Sequence, residues 1–426
     1  MRATSLLLTG AALLAATSGA LASGFQVNLN GQKNNGMGGT GTGLYLDQAA
    51  QFYNPGAFAF VKGNGVQGNI NMAIPRISFR GAGSGDQETL RNTNVFPFNG
   101  YAGFGITDKF KIGVGVYTPF GSELHYQSGW TGRYALTDIN LRSVFAQGTV
   151  SYAITPQLAI GAGVVVLAYG DVDLQRDVPL QSQSAGATPF HAQLTGKADH
   201  KVGYNLGVMF KPSDKLSVGI SYRSAIDAHV SGGDVTLTNS IASTASNFTA
   251  TSFDVTLPLP DVYSFGIGAR PSEKLLLAFD ANLVGWSRYQ SLDFTYSGGG
   301  TGLLGGRATS SSKRQYHDAL ALRLGGQYQV TQHLALRAGT FYDFNCVPDG
   351  FITPETPDAD RIGITAGFTY AVGEHFGIDG SFLFEDFMQR SQSQDQLVSN
   401  GVATDRVAGT YKTTIAVPGV GLYVKF

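Results

Sequence analysis

From residue 63 onward, hydrophobic and polar positions alternate with a period of two, the signature of strands whose two faces meet different surroundings. Leu275, Leu277, Phe279, Ala281 and Leu283 form a wholly apolar face, and Leu276, Ala278, Asp280, Asn282 and Val284 form a mixed one. The same alternation sets Leu216, Val218, Ile220 and Tyr222 against Ser217, Gly219, Ser221 and Arg223, and Phe376, Ile378, Phe382 and Phe384 against Asp379, Ser381 and Glu385. A water-soluble antiparallel sheet can alternate in this way. A membrane barrel is distinguished by strands of about ten residues or more, joined alternately by short turns and long polar loops.

Compact junctions fall at Thr107-Asp108, Thr155-Pro156, Pro212-Ser213, Pro271-Ser272, Thr331-Gln332 and Gly373-Glu374. Longer polar or Gly/Ser-rich segments lie near 81–93, 119–136, 174–198, 230–251, 288–314, 346–358 and 391–407. Six turns and seven loops make thirteen connections, and so predict an all-β fold: a 14-stranded antiparallel transmembrane β-barrel. Short turns would face the periplasm and long loops the exterior. Closure leaves no sheet edge, so every backbone polar group in the hydrocarbon finds a partner. The chain ends with Val420, Leu422, Val424 and Phe426 on one face, a terminal pattern that resembles the assembly signal of outer-membrane barrels.

Composition supports a lipid-facing surface. Of 426 residues, 43% are hydrophobic and only 14% charged, against roughly 25% charged in an average soluble protein. The longest apolar run after the N-terminus, Leu158 to Tyr169, is shorter than the ~20 residues of a membrane helix and holds two glycines, Gly161 and Gly163. With 29 basic and 30 acidic residues the net charge is −1, and no polybasic block offers a nucleic-acid surface. Arg2, the apolar stretch Leu6 to Ala16 and the small residues Ala20 and Ala22 read as a signal peptide over 1–22. The single Cys346 makes no intramolecular disulfide and no metal-thiolate cluster.

Residues 23–62 break the alternation. They carry Ser23-Gly24-Phe25-Gln26-Val27-Asn28, Gly36-Met37-Gly38-Gly39 and Phe52-Tyr53-Asn54-Pro55-Gly56. Further along come Trp130-Thr131-Gly132-Arg133-Tyr134, Leu257-Pro258-Leu259-Pro260, Gly285-Trp286-Ser287, Arg337-Ala338-Gly339, Pro348-Asp349 and Pro357-Asp358-Ala359-Asp360-Arg361. In their order across nearly the whole chain, these strings resemble the FadL-type outer-membrane transporters of long-chain fatty acids and other hydrophobic compounds. That family has alanine where Gly56 stands, one small residue for another.

The resemblance implies three segments: a signal peptide over 1–22, an N-terminal hatch over 23–62 that plugs the lumen, and a barrel over 63–426. It implies passive capture of a hydrophobic molecule from outside and its sideways release through a gap beside the third strand. Gly113 and Gly115 are the candidates for that gap, since glycine weakens a strand and marks bends; tight corners that merely tolerate glycine are the alternative. In the hatch, Gly24 and Phe25 carry the family string. Asn54 would hold the plug through side-chain hydrogen bonds and Pro55 and Gly56 through the turn that follows, a purely structural turn being the other reading.

Strand parity aims Arg323, Arg337 and Arg361 into the lumen. They are candidates for a ligand carboxylate, because guanidinium binds it bidentately, or for structural neutralisation of Asp280, Asp343 and Asp379. No catalytic motif, metal-ligand spacing or cofactor is implied: G-x-G-x-x-G matches at Gly36–Gly41 and Gly63–Gly68 lack the strand-to-helix setting of a dinucleotide site. The expected partners are fatty acids or aromatic hydrocarbons and outer-membrane lipid, with no nucleic acid. The expected setting is a monomer in the outer membrane of a Gram-negative bacterium. A general porin or an adhesion barrel is the competing class, and the hatch argues against an open aqueous lumen.

Overall fold

A computed structural model of the protein describes residues 24–91, 94–178, 190–238, 249–298, 308–400 and 405–426. The leader read over 1–22 lies outside the described residues. The wall has fourteen antiparallel strands. In chain order they are β1 (Gly65–Asn71 and Ile74–Gly81), β2 (Glu88–Arg91 and Phe98–Gly105), β3 (Phe110–Tyr117 and Gly121–Tyr126), β4 (Asp138–Ala153) and β5 (Leu158–Val178). Next come β6 (Phe190–Lys197 and Lys201–Ser213), β7 (Leu216–Arg223 and Ile226–Thr238), β8 (Ser252–Leu259 and Val262–Ala269) and β9 (Leu275–Val284 and Ser291–Ser297). The circuit ends with β10 (Thr309–Lys313 and Ala319–Gln329), β11 (Leu334–Asp343), β12 (Arg361–Val372), β13 (Phe376–Phe387 and Arg390–Gln392) and β14 (Gly409–Lys425). Each strand pairs with the next, and β14 returns to β1 from Gly65↔Lys425 to Gly81↔Gly409.

Five of the six short turns fall at the positions expected from the sequence, and the sixth comes two residues later, at Asp214-Lys215, because β6 runs on through Pro212 and Ser213; each lies between an even-numbered strand and its successor. The strands run further into the expected loops than hydropathy indicates. In β5, Asp171, Asp173 and Gln175 alternate with Val172 and Leu174, and these residues stay paired with β6. Their outward side chains meet water instead of lipid, so the apolar signal fades while the ladder continues. Lower down, the outward positions form an apolar girdle that includes Ile70, Val114, Val164, Leu206, Ile220, Phe279, Leu324, Ile364, Phe382 and Leu422, all exposed. A surface of this kind is stable in hydrocarbon.

Residues 24–62 lie inside the barrel. They form three single-turn helices, α1 (Gln32–Asn35), α2 (Ala50–Tyr53) and α3 (Pro55–Phe58). Inward polar side chains of the wall meet their backbone. Ser151 Oγ donates to Pro55 O at 2.7 Å, Ser221 Oγ to Tyr53 O at 2.7 Å and Ser217 Oγ to Gly43 O at 2.7 Å. Gln32 Nε2 reaches Asn71 Oδ1 at 2.9 Å. Buried polar groups need such partners, which explains the mixed inward face of the strands.

Candidate functional site

The wall is interrupted between β2 and β3. The register Asn99↔Tyr117 continues at Leu90↔Tyr126 with the same offset, which sets Pro97 opposite Pro119. Among the described residues, 94–97 make no ladder pair with β3. Proline has no N–H to give a ladder and also restricts the residue before it. Thr118, just before Pro119, substitutes its side chain for backbone pairing: its Oγ1 accepts from Phe98 N at 3.2 Å and donates to Phe98 O at 3.3 Å. The segment Phe25–Val27 then lies against the bent part of β3 from inside. Val27 N donates to Pro119 O at 2.8 Å and Gly121 N to Phe25 O at 3.3 Å.

A cavity of about 530 Å³ opens at this interruption, a size suited to a small-molecule ligand. Its lining includes the inward Val27, Ile77 and Phe341 as well as Phe96, Phe98 and Tyr169. The last three are 54%, 41% and 42% exposed on the outer surface, so one cavity touches both the lumen and the lipid face. A second, smaller cavity of about 100 Å³ lies on the extracellular side, lined by apolar side chains such as Leu174, Leu194, Phe253 and Phe294. Phe25 and Phe120 line both cavities. The Phe25 ring packs against Trp286 at 4.9 Å and Phe120 at 6.1 Å.

Gly113 and Gly115 do not mark an opening. Both are paired on each side, to Gly103 and Tyr101 of β2 and to Thr149 and Gln147 of β4. A Cβ on Gly113 would stand 2.8 Å from Gln51 Oε1 and 2.9 Å from the Phe58 ring, and one on Gly115 would stand 2.7 Å from the Tyr101 ring. Glycine there makes room for what lies inside the wall. The interruption lies further along the strand, and the pair Pro97 and Pro119 is the sequence signal that would have located it.

Arg323, Arg337 and Arg361 all project inward and are buried. Two of them share one acid. Arg323 Nη2 donates to both oxygens of Asp343 at 3.0 and 3.2 Å, and Arg361 Nη2 donates to Asp343 Oδ2 at 3.1 Å, with Glu385 3.6 Å from Arg361 Nη1. Arg323, Asp343, Arg361 and Glu385 line the large cavity. Arg337 does not; its guanidinium donates to Gln327 Oε1 at 2.9 Å and Thr369 Oγ1 at 2.8 Å. Asp280 and Asp379 serve the inner segment instead. Asp280 accepts from Gly41 N and Thr42 N, both at 2.8 Å, and Asp379 stands 3.7 Å from Lys33.

Asn54 caps α3. Its Oδ1 accepts from Gly56 N at 2.9 Å and Ala57 N at 3.4 Å, and its Nδ2 donates to Thr42 O at 2.9 Å and Val208 O at 3.0 Å. Pro55 occupies the first helical position, where its missing N–H costs nothing. Gly56 is less interchangeable with alanine than their sizes suggest: a Cβ would come 2.7 Å from Gly207 O. Gly24 has φ +71° beside the Trp286 ring, a conformation that favours glycine.

Sequence reasoning passed over Arg223. It donates to Tyr117 Oη at 2.7 Å and Phe52 O at 2.6 Å, beside a small polar recess that continues to Arg323 and Arg361. It also passed over Arg314, which is 2% exposed and ion-pairs with Glu355 and, at 3.7 Å, with Asp405, tying three extracellular segments together. Burial pushes the Glu355 carboxyl above its usual range, against the pull of Arg314. Glu355 lines both cavities.

The family model described as outer membrane protein transport protein (OMPP1/FadL/TodX) matches residues 13–426. The outer membrane protein P1 of Haemophilus influenzae is 24% identical over 425 residues, covering 88% of this chain and 89% of that protein. A long-chain fatty acid transport protein of Salmonella typhi is 22% identical over 411 residues, covering 90% and 92%. Among solved structures, a FadL homologue of Pseudomonas aeruginosa superposes with a TM-score of 0.80 at 20% identity, covering 95% of this chain and all of that one. The toluene transporter TodX of P. putida gives 0.69 at 17% identity, covering 92% and 97%. With a closed fourteen-stranded wall, an apolar girdle and a family match over almost its full length, this chain belongs to the OMPP1/FadL/TodX family of outer-membrane transport proteins.

Proposed function

We propose that this protein carries long-chain fatty acids across the outer membrane by facilitated diffusion, holding them in the large cavity and releasing them sideways between β2 and β3. The observation that carries this reading is one cavity lined both by inward apolar side chains and by the lipid-facing Phe96, Phe98 and Tyr169. An alkyl chain leaving through water would lose roughly 0.8 kcal/mol per CH2, a cost that a lipid-facing exit avoids. On this reading, residues 23–62 are a hatch and 63–426 the barrel, working as a monomer. The extracellular apolar cavity receives the ligand, and Phe25 and Phe120 divide it from the main one.

Arg323 and Arg361 supply a guanidinium pair for a carboxylate head group in competition with Asp343. An aromatic hydrocarbon, the cargo of a toluene transporter such as TodX, would have no use for that pair. Uptake of a radiolabelled long-chain fatty acid and of a radiolabelled aromatic hydrocarbon, measured in parallel in cells producing the protein, tests the cargo. Ala73→Trp tests the route, because Ala73 lines the cavity and pairs with Val95 beside the interruption. Fatty-acid uptake above an empty-vector strain, lost in a folded Ala73→Trp variant, is expected. Uptake of the hydrocarbon alone would refute the cargo, and undiminished uptake by the variant would refute the exit.

A further inference from the structure

The outer face of β1 and β14 carries a basic patch that the transport route does not use. Ile77 and Phe79 point inward and are buried, so Arg76 and Arg80 point outward, and both are exposed. Tyr411 and Thr413 are likewise buried, which turns Lys412 outward. The ladder sets Ser78 opposite Lys412, so this lysine stands level with the midpoint between the two arginines. Four residues of strand separate Arg76 from Arg80 by about 13 Å, with Lys412 one strand spacing of about 4.8 Å to the side.

Their height on the barrel is what gives the patch meaning. Val66 begins the outward apolar series of β1, which continues through Ile70 to Ile74. Ten residues from Val66 to Arg76 span about 33 Å of strand, or roughly 25 Å along the membrane normal at the usual tilt, the height of the apolar band of such barrels. The neighbouring strands agree: Phe384 and Ile74 both stand level with Ala416, and the next outward step brings Asp386, Thr414 and Arg76. The cations therefore sit at the outer edge of the hydrocarbon, where lipid head groups lie.

The patch is incompletely neutralised from within. Lys412 Nζ is held by Asp386 Oδ1 at 2.5 Å and Phe387 O at 2.7 Å. Among the described residues, neither Arg76 nor Arg80 has an ion-pair partner. On β4 and β5 the outward residues above the girdle include Asp138, Asp171, Asp173 and Asp177, and the one outward arginine among them, Arg142, stands level with Asp171 and 3.4 Å from Glu123, so the cations there have acids beside them. Arginine forks suit phosphate oxygens in particular.

We propose that Arg76 and Arg80, flanked by Lys412, bind the phosphate groups of a phosphorylated glycolipid of the outer leaflet. Protein purified in non-ionic detergent is incubated with lipopolysaccharide bearing its lipid A phosphates, with the same lipid after phosphate removal, or with inorganic phosphate alone; retained ligand is counted by native mass spectrometry. Wild type should retain the phosphorylated lipid. The folded double variant R76Q/R80Q should bind it on the order of 30-fold more weakly, from the usual contribution of two cations near an anionic lipid surface. K215Q, on a periplasmic turn, should bind as wild type does. Equal retention by the double variant, or equal retention of the dephosphorylated lipid, overturns the proposal. Competition by millimolar inorganic phosphate as effective as that by the lipid would assign the patch to a free anion and overturn it too.

Discussion

Asn54→Ala isolates the anchor of the inner segment. The side chain makes two kinds of contact: its oxygen caps α3 through Gly56 N and Ala57 N, and its amide nitrogen ties Thr42 O and Val208 O to one atom. Losing the cap costs about 1 kcal/mol, and each of the two amide hydrogen bonds contributes about 1 kcal/mol more. The sum, about 3 kcal/mol, favours local release of the segment by roughly a hundredfold and leaves the ladders of the wall untouched. Hydrogen exchange followed by mass spectrometry in detergent reads this directly. Amides of residues 40–60 should exchange roughly a hundredfold faster in the variant, while amides of β11 and β12 keep their wild-type rates. Asn54→Asp separates the two contributions. It keeps a cap acceptor but loses the donor and sets a charge against two carbonyls, so it should release the segment at least as much as alanine does. Rates over 40–60 within about threefold of wild type for Asn54→Ala would refute this reasoning, and a protected Asn54→Asp would show that the cap alone matters.

Two further outcomes follow from the site. Gly113→Val should crowd Gln51 and Phe58 and cost about 1–3 kcal/mol as overpacking, raising exchange in α2 and α3 while fatty-acid uptake persists; abolished uptake with unchanged exchange would return the exit to this glycine. Asp343→Asn should lower the thermal unfolding midpoint, because breaking a buried pair costs about 3–5 kcal/mol. It should also raise the binding preference for a fatty acid over its methyl ester by freeing Arg323 and Arg361. An unchanged preference in calorimetry would assign these arginines to structure alone.

The inward direction of Arg323, Arg337 and Arg361 was legible because parity along a strand is a local property. Their partners were not. Asp343 is shared by β10 and β12 because it stands on β11 between them, whereas Asp280 and Asp379, carboxylates that point equally inward, are taken by the backbone of residues 41–42 and by Lys33. Which acid meets which base depends on how the inner segment threads the lumen. No period along the chain encodes that path.

The same division accounts for Gly56 and for the interruption of the wall. Alternation, turn chemistry and the apolar face together determined the number of strands, their facing and the solvent they meet, since each depends on neighbours within about ten residues. The interruption depends on Pro97 and Pro119, twenty-two positions apart, arriving at one level of the wall. Gly56 depends on the approach of Gly207, far away in sequence. Local periodicity decided that this chain would be a barrel; only the register between strands and the close packing of residues 24–62 against them decided where the wall is interrupted, because both are set by contacts between residues far apart in the chain.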